Sequence, residues 1–341
     1  MGTWFSPLFD LLIILLLIVG IRLFQRPKEA RAGNMINALA LLAAFLLVLY
    51  RYRILEPGIV VIALLAGSVV GVIVAMRVSM IQIPAMVAFQ HGAGGIAAFL
   101  VSLVELSRST ANLTSFGKIS GVLGLIIGAA TFSGSMIASG KLANRINQKP
   151  IVLPQHSILL LAVALLTLIV GVFVGMLEPV PGTWLLLVLL ALAILLGIVF
   201  SIRIGGADMP VLISFLNATA GAAAAFCGAV IQERLLIACG ATVAASGSIL
   251  THVMCKAMNR SLVNVFAGTK GAPSDRAAAP MMPEVAEVDA AIEAEAAQSS
   301  LEAAVEKLKT AKKVVIIPGY GMALAQAQFK VVELARRLEG R

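Results

Sequence analysis

His91 lies in the first half of a long apolar run, beside Gln90 and followed by Gly92, Gly94 and Gly95. If that run crosses a bilayer, an ionisable side chain inside it needs a reason, because Asp, Lys or Arg at a helix centre costs about 2.5 to 3.5 kcal/mol. Imidazole is the side chain whose ordinary pKa lies nearest neutrality, so it can take up and release a proton under physiological conditions. His91 is therefore the best candidate for a proton carrier, beside structural hydrogen bonding, the commoner role of a single membrane histidine. Glu105 stands near the end of the same run, close enough to an interface to be solvated. Asn217 and Thr219 stand among alanines, and Ser248, Thr251, His252 and Cys255 fall at three- and four-residue spacings along one helical stripe. Both groups could extend a hydrophilic path or simply bond helix to helix. His252 is near a helix end and reads as solvated; His156, in the loop after Pro154, reads as exposed.

A second constellation lies near the C-terminal end. Lys313 to Ile317 (KVVII) is a short β-branched run bounded by Pro318 and Gly319, which reads as a buried strand. The turn Gly319-Tyr320-Gly321 and a helical pattern from Met322 to Leu338 follow it. That order suits dinucleotide binding: glycines allow a tight turn and let a pyrophosphate approach the free amides of a helix N-terminus. The fingerprint is incomplete, since Leu324 occupies the third small position, with Ala325 after it. Glu339 lies at the distance of a ribose-binding acid but at a helix end, where it reads as surface charge. Cys227, Cys239 and Cys255 all fall in apolar segments, so they form neither a disulfide frame nor a CxxC metal site and read as small packing residues.

The elements that must position these groups are membrane helices. Of 341 residues, 60% are hydrophobic and 13% charged, against about 25% charged in soluble domains. A spanning helix needs roughly 20 largely apolar residues. Runs of that kind occur at 8–24, 35–49, 58–76, 83–106, 119–139, 158–176, 183–201, 210–231 and 235–255, which predicts nine spans. The net charge of +9 is spread over short loops without aromatic-flanked patches, so it reads as topology and not as a nucleic-acid footprint. Alternate loops carry Arg22, Arg26, Lys28, Arg31, Arg77, Lys141, Arg145, Lys149 and Arg203 on one side, against Arg51, Arg53, Arg108, Lys118 and Arg234 on the other. The richer side is expected to be cytoplasmic, with the N-terminus outside and the C-terminal tail inside. The first apolar run has no basic residue before it, the reverse of a signal peptide, and is expected to be retained. Small residues crowd the fourth, fifth and eighth runs, as close helix packing in lipid requires. From Gly268 to Ser300 the composition turns to Ala, Pro, Glu and Asp, as in a solvated linker, and Ser299 with Glu302 has the form of a capping box that opens a short helix to about Lys309. The expected division is a transmembrane domain over 1–260, a linker over 261–300 and a nucleotide-binding segment over 301–341. The fold class is thus an all-α polytopic membrane bundle of about nine helices followed by a truncated α/β Rossmann-like dinucleotide-binding segment.

Four stretches carry a resemblance over essentially the whole chain: IGGADMP at Ile204 to Pro210 with Asn217 beyond it, TFSGSMIASGKL at Thr131 to Leu142, KAMNRS at Lys256 to Ser261, and PGYGMALAQAQ at Pro318 to Gln328. In this order they resemble the β subunit of proton-translocating nicotinamide nucleotide transhydrogenase. The resemblance implies that His91, in PAMVAFQH, is the intramembrane proton-path histidine and that Asn217 is a polar member of the same path. It implies that Asp208 and Arg260 are charged residues at the cytoplasmic face where the membrane domain meets the NADP(H) domain, and that Gly319, Tyr320, Gly321, Met322 and Ala323 form the NADP(H) loop. Further implications are hydride transfer from NADH to NADP⁺ with Re/Si specificity, NAD(H) on a separate α subunit, a homodimer of α–β units, and a multi-pass place in the cell inner membrane. A family β subunit continues through a whole α/β domain. The chain is therefore expected to hold only the first strand–turn–helix unit, whose lone parallel strand lacks a partner; such a segment is not expected to hold NADP(H) or to be active by itself.

Two other classes stay open on the residues. A secondary transporter or ion channel with a regulatory nucleotide domain would place solute-binding polar groups at broken helices near the midplane, whereas the polar residues here are sparse and suit protons. A non-catalytic assembly module would bind no NADP(H) and show no activity.

Overall fold

The computed structural model describes residues 5–24, 28–52, 57–108, 113–176, 183–258, 261–267, 311, 314–317 and 328–339. Contacts divide the chain into two compact units, Met1–Lys270 and Gly271–Arg341.

Among its described residues the first unit contains nine long helices: α1 (Phe5–Phe24), α2 (Ala30–Tyr52), α3 (Pro57–Arg77), α4 (Ile83–Ser107), α5 (Ser115–Leu142), α6 (His156–Met176), α7 (Thr183–Ile202), α8 (Met209–Val230) and α9 (Arg234–Ala257), followed by a short α10 (Leu262–Ala267). Apolar runs of this length become helices in lipid because only a helix satisfies its backbone polar groups within one segment. Their ends are chemically marked. Pro84 and Pro210 sit in the first turns of α4 and α8, where the missing N–H is no loss. The Thr114 hydroxyl caps α5 by accepting the Gly117 N–H at 3.1 Å. Asn144 and Gln232 turn the chain out of α5 and α8 in left-handed conformations.

Eight of these helices are long and apolar enough to cross a membrane among the described residues, which corrects the expected nine. The helix left out is α1, which carries Asp10 and Arg22 within its twenty residues. α5 is the hub, packing on α4, α6, α7 and α8, while α8 pairs with α9 and α1 with α2. The α3 span has no buried residue, so its apolar length is left for lipid or a partner helix.

The α1–α2 hairpin is tied to the bundle by charge. Arg51, at the end of α2, donates one guanidinium nitrogen to Asp10 of α1 and another to Glu233 at the head of α9, each at 2.7 Å. Both carboxylates are buried, at 6% and 5% exposure. This triad also shows that the start of α1, the end of α2 and the start of α9 share one end of the unit, as alternate threading requires.

In the second unit, α11 (Gln328–Glu339) carries an Arg337–Glu333 ion pair one turn apart at 2.6 Å. The strand expected over Lys313–Ile317 does not form: Val314 to Ile317 have no strand pairing, and no strand occurs among the described residues. The reason is physical, since a ladder needs a neighbour and none is present among the described residues. The Rossmann-like segment is corrected accordingly; the described part holds a helix alone. The turn and capping box expected at 319–323 and 299–302 lie outside the described residues.

The triad generates a stability ordering. Arg51→Gln removes the cation shared by two buried carboxylates and should destabilise the protein by about 3 kcal/mol, whereas Asp10→Asn keeps the Arg51–Glu233 pair and should cost less. Thermal unfolding of the detergent-solubilised protein checks this, and equal midpoints for the two variants would contradict it.

Candidate functional site

The polar groups of the bundle are set by how closely α4, α5 and α8 approach. A methyl group added to Gly95 of α4 would sit 2.7 Å from the Gly128 carbonyl oxygen and 2.8 Å from the Phe132 nitrogen, both on α5. One turn earlier, Gly92 faces Met136, Ser135 and Phe132 of the same helix. On its other side, α5 meets α8 in the same way: Gly134 lies against Leu216, and a hydrogen bond of 2.9 Å joins Thr131 to Thr219.

These contacts make α5 a ruler. Residues 132–136 of α5 touch Gly92, the neighbour of His91, and also Leu216, the neighbour of Asn217. His91 and Asn217 therefore stand within about one helical turn, 5.4 Å, of the same height. His91 is two turns from Ala98 on the same face of α4, and Ala98 packs with Ala223 and Cys227 of α8. On α8, Asn217 falls in the sector between the face packed on α5 (Leu216, Ala223) and the face packed on α9 (Ser214, Gly221). Both side chains are half-buried.

Ser135 shares this level. It is fully buried, and its hydroxyl has no hydrogen-bond partner among the described residues. Thr131 and Thr219, by contrast, satisfy each other. Deeper in the α8–α9 contact, Thr251 Oγ1 lies 3.0 Å from Ser214 Oγ, so the polar stripe of α9 splits: Thr251 and Cys255 turn inward, whereas Ser248 and His252 are exposed. Glu105 pairs with Arg108 at 3.2 Å near the end of α4 and stays apart from the buried group.

At the end of the bundle where α5 and α7 finish, the loop carrying Asp208 is pinned by a buried cation. Lys141 has no exposed surface, and its ammonium donates to the carbonyl oxygens of Ile202 at 2.5 Å and Ile204 at 2.6 Å. Gly206, with φ of +60°, turns the chain, and its N–H reaches Gln148 O at 3.1 Å. A side chain at Gly205 would collide with the backbone of 148–150, so this glycine permits the close approach. Asp208, half-buried, then sits at the N-cap position of α8. Arg260 and residues 319–323 lie outside the described residues.

His156 is a correction. It is 3% exposed, with Nε2 2.9 Å from Val199 O and Nδ1 accepting the Leu153 N–H at 3.3 Å. Both ring nitrogens are thus held by backbone groups. It is buried because the loop before α6 folds back onto α7, with the Ile151 N–H donating to Ile202 O. Sequence reasoning also missed Lys141 and Arg203 as buried groups, counting both as loop charges. The available signal was that Lys141 follows a stretch rich in Ser, Gly and Ala, Ser133 to Gly140, of the kind that packs closely against neighbouring helices.

Comparison with known proteins agrees over most of the length. The family described as NAD(P) transhydrogenase beta subunit matches residues 7–341. The NAD(P) transhydrogenase subunit beta of Rhodospirillum rubrum is 38% identical over 328 residues, covering 94% of this chain and 68% of the relative. The protein of the same name from a designated Rhodospirillum rubrum strain matches with the same identity and coverage.

Two neighbouring glycines separate close packing from composition. Gly95→Ala should destabilise the bundle by about 1–3 kcal/mol, the usual range for overpacking, because the methyl group meets α5 backbone. Gly94→Ala meets nothing within 4 Å and should be nearly neutral. Unfolding midpoints in detergent check the pair, and an equal loss at both positions would contradict the described α4–α5 contact.

Proposed function

We propose, from the premise that this chain belongs to the NAD(P) transhydrogenase beta subunit family, that its bundle carries protons past His91 and Asn217 and couples their movement to hydride transfer from NADH to NADP⁺. The observation that carries the reading is the common height of His91, Asn217 and Ser135 where α4, α5 and α8 touch. An imidazole there can accept a proton from one side and release it to the other, and the Asn217 amide and the unpartnered Ser135 hydroxyl put hydrogen-bonding groups at the same level.

α8 is the mechanical link. It begins just after its N-cap, Asp208, and carries Asn217 nine residues beyond that cap, about 14 Å along a rigid helix at 1.5 Å per residue. Lys141 fixes the loop at its head. A change in the charge or contacts of Asp208 therefore bears on the helix that also presents Asn217, and linkage makes the influence mutual. In this reading Arg260 joins Asp208 at the face toward the nucleotide-binding part, and that face is cytoplasmic, with the N-terminus outside and the protein in the cell inner membrane. NADP(H) belongs to the loop Gly319, Tyr320, Gly321, Met322 and Ala323; NAD(H) belongs to an α subunit, and α–β units pair as a homodimer. The transfer is of the Re/Si-specific kind.

The nucleotide cofactors supply the hydride chemistry when bound. The described part of the second unit contains α11 but no strand, so by itself it does not make a dinucleotide cradle, and no step here depends on one.

The test uses the α–β complex in sealed vesicles. His91→Ala should lower proton uptake and NADH-to-NADP⁺ transfer together, by about a hundredfold, the lower range for removing a proton-transfer group, with the unfolding midpoint unchanged. Full coupled activity in His91→Ala would overturn the reading.

A further inference from the structure

Arg203, the first residue beyond α7, is 7% exposed. One guanidinium nitrogen, Nη1, lies 3.3 Å from Ser157 Oγ at the start of α6, and Nε has no partner. Among the described residues no carboxylate reaches it. The C-terminus of α7 offers about half a negative charge, but its Ile202 carbonyl, with that of Ile204, is already taken by Lys141. Two buried cations thus share one helix end, and only Lys141 is compensated. A buried charge left in that state is strongly unfavourable.

Next to it lies an apolar slot. A cavity of about 350 Å³ runs between α5, α6, α7 and α8, lined by Leu160, Ala164, Leu196, Gly197, Phe200 and Phe215 among others. Its two hydroxyls, Thr131 and Thr219, bond to each other, so the wall offers no free polar group. Phe200 and Phe215 close toward Phe266 of α10, with ring centroids 4.7 to 5.4 Å apart. Ser157 precedes Leu160 by three residues and Arg203 follows Phe200 by three, which places the cation about one turn beyond the slot on both of its α6 and α7 walls. The outer faces of α6 around it, at Leu161, Leu165 and Leu168, are exposed apolar surface.

We propose that this is a binding site for an anionic phospholipid of the leaflet at this end of the bundle: the headgroup phosphate is held by Arg203 and Ser157, and an acyl chain fills the α5–α8 slot. Charge complementarity selects the class. Arg203 supplies the positive charge that a net-negative headgroup neutralises and a zwitterionic one does not, and basic pockets between membrane helices take such headgroups. Neither His91 nor Asn217 lines the slot, although Leu216, next to Asn217, does, and the proposal does not rest on the transhydrogenase reading.

The experiment measures lipid carried by the α–β complex in mild detergent by native mass spectrometry, titrated with phosphatidylglycerol or phosphatidylcholine. Wild type should prefer phosphatidylglycerol by about fivefold, the effect of one basic residue near a membrane surface. Arg203→Gln should remove the preference. Ala164→Phe, which fills the slot and leaves Arg203 in place, should remove the bound lipid, and Arg203→Lys should keep part of it. Three results would each overturn the proposal: no preference in wild type; unchanged retention in both Arg203→Gln and Ala164→Phe; or protection of the wild type by inorganic phosphate that Ala164→Phe leaves intact, which would mark a free-phosphate site. Crosslinking of position 203 to the α subunit without bound lipid would assign the charge to a protein carboxylate and equally overturn it.

Discussion

Backbone contact between α4, α5 and α8 is the constraint on which the rest depends. In lipid the tails are as apolar as the side chains, so helices are held by close packing and not by removal of apolar surface from water. Gly92 and Gly95 on α4, Gly128 and Gly134 on α5, and Gly221 and Gly247 on α8 and α9 bring neighbouring helices together around His91, Asn217 and Ser135. That closeness fixes height. Once α5 touches both neighbours, His91, Asn217 and Ser135 can be nowhere but on one level, and a small shift of α4 would separate them.

The two ends of the bundle are held differently. At one end Arg51 clamps two buried carboxylates and fastens the α1–α2 hairpin to α9. At the other, Lys141 and Arg203 are both buried beside the end of α7, and the first of them pins the loop that leads to Asp208. At the clamp one guanidinium meets two carboxylates, and at the opposite end two cations are buried side by side. Each is suited to its place: the first locks helices together, and the second leaves a cation for an outside anion while keeping the start of α8 in register with its middle.

Much of this was legible in the residues. The nine apolar runs fall within a few residues of α1 to α9, because runs of this length form helices in lipid, and the breaks at Pro57, Pro84 and Pro210 mark helix starts. His91 and Asn217 stood out because polar groups are rare in such runs. What the runs could not give was direction in space. Lys141 and Arg203 look like any loop charge until α5 and α7 are seen to end against each other, and His156 looks exposed until the loop before it folds back on Val199. The β-branched run KVVII has the composition of a strand, but strand formation depends on a neighbour that periodicity does not supply. The openness of α3 was equally invisible, since an apolar helix reads the same whether lipid or protein covers it.

The most direct test of the central claim is proximity in the membrane. In a background lacking Cys227, Cys239 and Cys255, His91→Cys and Asn217→Cys are combined and treated in vesicles with a short thiol-to-thiol crosslinker, beside a control pairing Gly94→Cys with Asn217→Cys. The account predicts efficient linkage of 91 to 217 and little of 94 to 217, because Gly94 lies on the open face of α4. Linkage favouring 94, or none at 91, would contradict it.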